Sequence, residues 1–285
     1  MPVHDTISFL SDYGHDDEFV GVVHSVIRGI APDARVIDLT HGIAPHDTRA
    51  GGLALARAVQ YVAPGVILAV VDPGVGTARR AVAVEVAEGA GVFVGPDNGL
   101  LAPAVAMAGG ATRAVELRDP RFHLPAPGPT FAGRDVFAPV AAHLCTGVEL
   151  DELGPAVDTA TLLPGVLPVS RSEGEVVVAE VLWVDRFGNA QLNVGPDEVP
   201  GRRHTLTTET AVRTATVADT YGAVATGGVG LVVDAYGLLS VALDRHSAAD
   251  ELGLEPGAEL RLAPLPEEAP AGWAPLPFPT VRREV

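Results

Sequence analysis

The stretch Val70–Arg80 reads VVDPGVGTARR and sets one carboxylate where an apolar run stops, with two arginines just beyond it. Leu68–Val71 is continuously apolar, the pattern of a strand buried on both faces, and Asp72-Pro73-Gly74 ends it. A carboxylate at the carboxyl end of such a strand stands where α/β sheets hold their ligands. Arg79 lies on the chain returning toward the next strand, and a buried acid beside a fixed cation is suited to handling water. Asp72 and Arg79 are therefore the leading catalytic pair, and Gly74 and Gly76 would let a substrate approach the backbone. A strand-ending aspartate that caps its own turn would leave the same letters, so the segment alone leaves both readings open.

Other polar clusters follow apolar runs in the same way. Ser11-Asp12-Tyr13-Gly14 ends the first of them, and the two oxygens of Asp12 could accept bonds from a vicinal diol such as a ribose; a helix N-cap is the alternative. Asp16, Asp17 and Glu18 crowd a first helical turn, which the helix dipole favours without any function. Asp185-Arg186-Phe187-Gly188-Asn189 joins a carboxylate, an aromatic face and a carboxamide, able to bind an ammonium, stack a purine and read its edge, or simply to form a β-turn with Gly188 at positive φ. Thr130–Asp135 is a loop with Phe131 as platform, in which Arg134 and Asp135 would pair with each other or cap the following helix. Asp38, His41, His46 and Asp47 form a loose polar group, but the histidines lack metal-ligand spacing and no metal is expected.

These residues need a layered scaffold to bring them together. From Ile7 to about Leu150 short apolar runs alternate with helix-period segments, which predicts an α/β domain with a mostly parallel central sheet. Strands are expected at Ile7–Leu10, Val36–Leu39, Val66–Val71, Ala81–Val86 and Val92–Val94, and helices at Glu18–Ile30, Thr48–Val62, before Met107 and over Gly133–Leu150. The turns at Asp12, Asp72 and Asp97-Asn98 would then converge on one sheet edge. Proline and glycine between Leu162 and Gly174 mark a boundary, giving domains 1–165 and 166–285. Beyond it, runs at Val176–Val184, Ala190–Val194, Ala211–Val217, Leu231–Val233, Leu239–Leu243 and Glu259–Leu262 read as an all-β, barrel-like domain, followed by a proline-rich tail after Pro264 expected to lie extended on the surface.

Bulk properties narrow the chemistry. The 285 residues carry a formal charge of -17, which disfavours nucleic acid or an anionic membrane as partner and suits a cationic small substrate. Lysine is absent, which excludes Schiff-base chemistry and a P-loop lysine. Cys145 is the single cysteine and reads as a small core residue of a helix. With no basic leader and no apolar run of membrane-spanning length, the chain reads as a soluble cytoplasmic protein.

Taken in order, SDYG, LTHGIAPHD, VVDPGVGTARR, GPDNGLL, TFAGRDVFAP, VDRFGN and AYGLLSVA resemble the successive motifs of the S-adenosyl-L-methionine (SAM) hydrolase (adenosine-forming) family, also called SAM hydroxide adenosyltransferases and related to fluorinase and chlorinase. The resemblance runs from about Ile7 to Asp250. It implies a homotrimer whose ligand lies between the first domain of one subunit and the second of its neighbour. It also implies attack of water or hydroxide on the ribose 5′ carbon of SAM, giving adenosine and methionine, with no cofactor. On the same basis Asp72 and Arg79 match the catalytic positions, Asp12 the ribose-diol position, Asp185 the ammonium position and Asn189 the adenine position. Phe131, Phe187 and Tyr221 match the surrounding aromatics, Tyr236 the methionine-carboxylate contact, and Leu243 to Arg245 the backbone that meets adenine. One departure stands out: relatives usually carry histidine after the Thr-Phe pair, where this chain has Ala132, and His123 is a candidate to compensate. A chlorinase-like halogenase is the nearest rival, opposed by Asp72, because the halide-using enzymes that resemble this chain elsewhere place a tyrosine at that position. A protein that binds SAM or adenosine with little turnover is the other.

Overall fold

The computed structural model describes residues 4–266, and the chain divides between Leu167 and Pro168 into two units, each with its own core. In the first unit β1 (Thr6–Ser11), α1 (Phe19–Ile30), β2 (Arg35–Thr40), α2 (Thr48–Val59), β3 (Gly65–Val70), β4 (Ala81–Val86), β5 (Gly91–Pro96), α3 (Ala102–Met107), β6 (Ala111–Glu116) and α4 (Ala138–Cys145) follow in order. The sheet runs β2-β1-β3-β5-β4-β6, and β4 alone is antiparallel to its neighbours. β1 and β3 are buried along their whole length, as central strands covered on both faces must be.

Alternation along these strands feeds two cores. Ile7, Phe9, Val66, Leu68 and Val70 pack with α1 and α4, while Leu10, Ile67 and Ala69 pack on the opposite face with α2 and α3. Helices α1 and α2 cross over in opposite directions along the sheet, so they cover opposite faces. The strand order therefore reverses between β1 and β3, and a crevice opens at their carboxyl ends.

The helix expected over Gly133–Leu150 is divided. Gly133–Phe137 forms a wide π-type turn, α4 takes over to Cys145, and the chain leaves it through Gly147 at φ 95°. Pro139 has no N–H to give the carbonyl of Asp135, which instead accepts from Leu124 N at 2.9 Å. Cys145 is buried in α4, and burial pushes its thiol up to about 11.

The second unit holds β7 (Arg171–Glu173), β8 (Val176–Val184), β9 (Ala190–Leu192), β10 (Arg203–Thr207), β11 (Val212–Ala218), β12 (Val229–Val233), β13 (Leu239–Leu243), a short α5 (Ala248–Leu252) and β14 (Glu259–Pro264). β8 to β14 close into a seven-stranded barrel, because the long β8 pairs with β14 along one half and β9 along the other. Three strands escape the apolar-run reading. β6, β7 and β10 spell ATRAVE, RSE and RHTLT, with too few apolar residues to announce a strand. The tail expected to lie extended after Pro264 falls, from residue 267, outside the described residues.

Candidate active site

The crevice contains a cavity of about 360 Å³ whose wall includes Asp12 from the end of β1, Asp72 from the end of β3, and Phe131 and Ala132 from the loop before α4. Arg79 Nε donates to Asp72 Oδ1 at 2.8 Å and its Nη2 donates to Asp72 Oδ2, so one planar guanidinium holds both carboxylate oxygens. The Asp72 side chain is only 6 % exposed and that of Arg79 15 %. Arg79 stands behind Asp72 and lies 5.1 Å from the ring centre of Phe137. Asp72 thus presents its remaining lone pairs to the cavity while the arginine fixes their direction.

The glycines of this loop act differently from the sequence expectation. Gly74 packs against Arg79, where a Cβ would sit 3.1 Å from Cγ, and Gly76 at φ 76° packs against the carbonyl of Pro129. They let Arg79 return and let two loops meet; the expected close approach of substrate is not what occupies that space. The two arginines divide their work. The turns after β1, β3 and β5 meet at one sheet edge as expected, these strands being parallel neighbours, but Arg80 Nε donates to Asp97 Oδ2 at 2.8 Å and Asp97 Oδ1 accepts from Leu163 N, so its carboxylate is engaged outside the cavity of Asp12 and Asp72. Adjacent in sequence just before β4, Arg79 thus serves one aspartate and Arg80 the other. Asn98 does serve the site, holding the carbonyl of Val71 at 2.9 Å through Nδ2.

Asp12 Oδ2 accepts from His46 N at 2.9 Å, and His46 takes φ 70° to supply that N–H. Tyr13 and Phe19 join Phe131 in an edge-on aromatic wall, with Phe131 5.6 Å from Tyr13 and 5.0 Å from Phe19. Burial, with the charges of Asp12 and Asp72, pushes the Tyr13 phenol up, so it remains protonated. Neither Tyr13 nor Phe19 was singled out from sequence; both sit beside the motifs, but their aromatic type alone does not separate wall from core. Arg134 and Asp135 pair with each other as expected, at 2.6 Å.

His123 is not among the residues lining this cavity. It is half-buried, its Nε2 has no hydrogen-bond partner among the described residues, and burial lowers its pKa. The polar group of Asp38, His41, His46 and Asp47 is engaged within the fold: Asp38 with His24 and His41, His46 through its backbone with Asp12, and Asp47 as the N-cap of α2. Among the described residues no group of three or more such side chains could hold a metal ion.

In the barrel unit, Asp185 and Asn189 build one turn. Asp185 Oδ1 accepts from Phe187 N at 2.8 Å and Asn189 N at 2.9 Å, and Oδ2 accepts from Asn189 Nδ2 at 2.8 Å. The turn presents Phe187 to solvent at 77 % exposure. Tyr221 is half exposed; burial raises its phenol, and the charges of Asp234 and Asp185 add to this, which sets those carboxylates near it. Asp234, which sequence reasoning passed over, accepts from Tyr236 N at 2.8 Å and from Gln191 Nε2 at 2.5 Å. Its signal was present, since VVDAYG repeats the apolar-run-then-aspartate pattern of Asp12 and Asp72. Leu243 ends β13, and Arg245 at φ 58° turns the backbone with its side chain almost fully exposed. A larger cavity along β10 and β11, about 840 Å³, contains none of the expected residues.

Residues 7–154 match the SAM hydroxide adenosyltransferase N-terminal domain, and residues 179–261 match the C-terminal domain. The chain belongs to the SAM hydroxide adenosyltransferase family. Family members similar to it include the (R)-S-adenosyl-L-methionine hydrolase of Salinispora tropica, 46% identical over 90% of this chain and 97% of that one. The enzyme of the same name from Thermus thermophilus is 44% identical over 90% and 98%. A fluorinase from Actinoplanes is more distant, 27% identical over 66% and 71%. Among solved structures, a conserved protein of Thermotoga maritima superposes with a TM-score of 0.84 at 33% identity, covering 90% of this chain and all of that one.

Proposed function

We propose that this protein hydrolyses SAM to adenosine and L-methionine by attack of water on the ribose 5′ carbon. The observation that carries the reading is Asp72, gripped on both oxygens by Arg79 and facing a cavity it shares with Asp12. Water held by Asp72 forms the new C–O bond as the C–S bond breaks, its electron pair goes to sulfur, and the water proton passes to the carboxylate or solvent. The sulfonium leaves as a neutral thioether, so no general acid is required. What the site supplies is orientation, which in favourable cases is worth on the order of 10⁵ M or more in effective concentration. Carboxylates at Asp12 and Asp72 also suit a cationic substrate.

Asp12 takes the ribose diol, Phe131 lies beside the nucleoside, and Ala132 leaves room at the cavity wall. Asp185 takes the methionine ammonium, Asn189 the adenine edge, Phe187 and Tyr221 its faces, Tyr236 the methionine carboxylate, and the Leu243–Arg245 backbone the adenine. In this reading the protein is a cytoplasmic homotrimer whose ligand spans the first domain of one subunit and the second of its neighbour. The names of its relatives specify the R sulfonium, and that epimer is the substrate assigned here.

Incubating the protein with SAM in the presence and absence of chloride, and separating the nucleoside products, tests the reading. Adenosine and methionine in equal amounts, unaffected by chloride, are expected. A chlorinated nucleoside would identify a halogenase, and tight SAM binding without product would identify a binding protein, the outcome Ala132 would explain.

A further inference from the structure

Besides the His46 N–H that Asp12 itself accepts, the turn that carries Asp12 is fastened by two buried residues, His41 and Ser11. His41, 1 % exposed, takes the N–H of Gly14 on its carbonyl at 2.8 Å, and its Nδ1 lies 2.7 Å from the hydroxyl of Ser11. Ser11 Oγ in turn accepts from Tyr13 N at 3.2 Å. Asp12 lies between these two anchors. On the other side of the ring, Nε2 is 3.0 Å from Asp38 Oδ1, which also sits 2.8 Å from His24 Nε2 on α1. The ring is further wedged edge-on against Phe9 at 4.6 Å and His15 at 5.4 Å.

One proton arrangement satisfies the Ser11 hydroxyl, with His41 Nε2 left 3.0 Å from Asp38 Oδ1 but outside hydrogen-bond geometry. His41 carries its proton on Nε2, facing Asp38, and Nδ1 accepts from the Ser11 hydroxyl, whose lone pair then accepts from Tyr13 N. The reverse arrangement would leave the fully buried Ser11 proton without an acceptor among the described residues. Burial lowers the His41 pKa, which favours the neutral ring this arrangement needs.

We infer that the buried pair His41 and Ser11, with the partly exposed Asp38 on the outer side of the ring, forms a relay whose task is to aim Asp12 at the ribose diol, making His41 and Ser11 positioning residues for substrate binding. The inference rests on the assignment of Asp12 to the diol made above. Nothing in the relay touches Asp72, so it governs sugar recognition more than the chemical step.

The test compares adenosine with 2′-deoxyadenosine by calorimetry, alongside steady-state kinetics on SAM. Wild-type protein is expected to prefer adenosine. Ser11→Ala, which removes one oxygen, and His41→Phe, which keeps the ring shape, should each cut that preference about tenfold and raise KM by a similar factor, with kcat within about threefold. His41→Asn, whose amide oxygen lies near the Nδ1 position, should restore most of it. Unaltered ribose preference in a folded Ser11→Ala protein overturns the relay, as does a fall in kcat at constant KM or failure of His41→Asn to improve on His41→Phe. If His41→Phe does not fold, Ser11→Ala decides alone. A wild-type protein indifferent to the 2′ hydroxyl would instead remove the Asp12 assignment, and the inference with it.

Discussion

Asp72 depends on the shape of its partner as well as its charge. Both its oxygens accept from the same guanidinium, a fork that a lysine ammonium cannot reproduce. Arg79→Ala should lower kcat about a hundredfold, the usual scale for losing an oriented catalytic group, and Arg79→Lys should recover only part of that loss. Initial-rate measurements decide it, and full activity in Arg79→Lys would mean that charge alone suffices. Residue types pointed to Asp72, Arg79 and Asp12 because each stands where an apolar run meets a turn, and the fold places Asp12 and Asp72 on one cavity with Arg79 paired to Asp72. The same signal brings Asp97 to that edge as well, where its carboxylate is taken by Arg80 and the backbone of Leu163. It could not reach His41 or Tyr13, because their surroundings come from what folds against them.

At the scale of elements, the turn after β8 shows how closely the barrel loops are fitted. Gly188 holds φ 82°, and a Cβ there would lie 2.2 Å from Ser247 Oγ and 2.6 Å from its Cα, at the N-cap of α5. Gly188→Ala should therefore cost about 2–4 kcal/mol, from the clash added to the left-handed backbone. Gly174→Ala is the control, since φ there is 67° with nothing within 4 Å, and should cost only about 1 kcal/mol. Denaturant titration of both variants separates clash from backbone strain; equal costs would remove the clash from the explanation. Sequence periodicity recovered the elements that bury a continuous stripe, including β4, β8 and β13 at their observed bounds. It missed β6 and β10 because a strand with one polar face, interrupted by Arg113 or His204, has too short an apolar signature. The interruption of the Gly133–Leu150 segment was written in Pro139, whose missing N–H widens the first turn.

Over the whole molecule, buried titratable groups set the response to acid. Burial lowers the pKa of His4, His41, His123, His143 and His204 in the folded chain. Below the unfolded value of 6.5 the unfolded chain binds more protons than the folded one, so stability is complete above that pH and falls as pH drops through it. Hydrogen bonds from Arg113 hold Glu85 low as well, a contribution present above the ordinary carboxylate range and lost in stronger acid. Thermal unfolding should give a Tm that is level near neutrality and declines below about pH 6.5, whereas a level Tm down to pH 5 would contradict this. The excess negative charge of the chain, -17, remains compatible with a sulfonium substrate and with the acidic cavity. The central claim is that Asp72, oriented by Arg79, directs water at the ribose 5′ carbon. Single-turnover reaction in ¹⁸O-labelled water tests it most directly: the account predicts one heavy oxygen in adenosine and none in methionine, with the rate about a hundredfold lower in Asp72→Ala. Unlabelled adenosine, or labelling at the wild-type rate in Asp72→Ala, would contradict it.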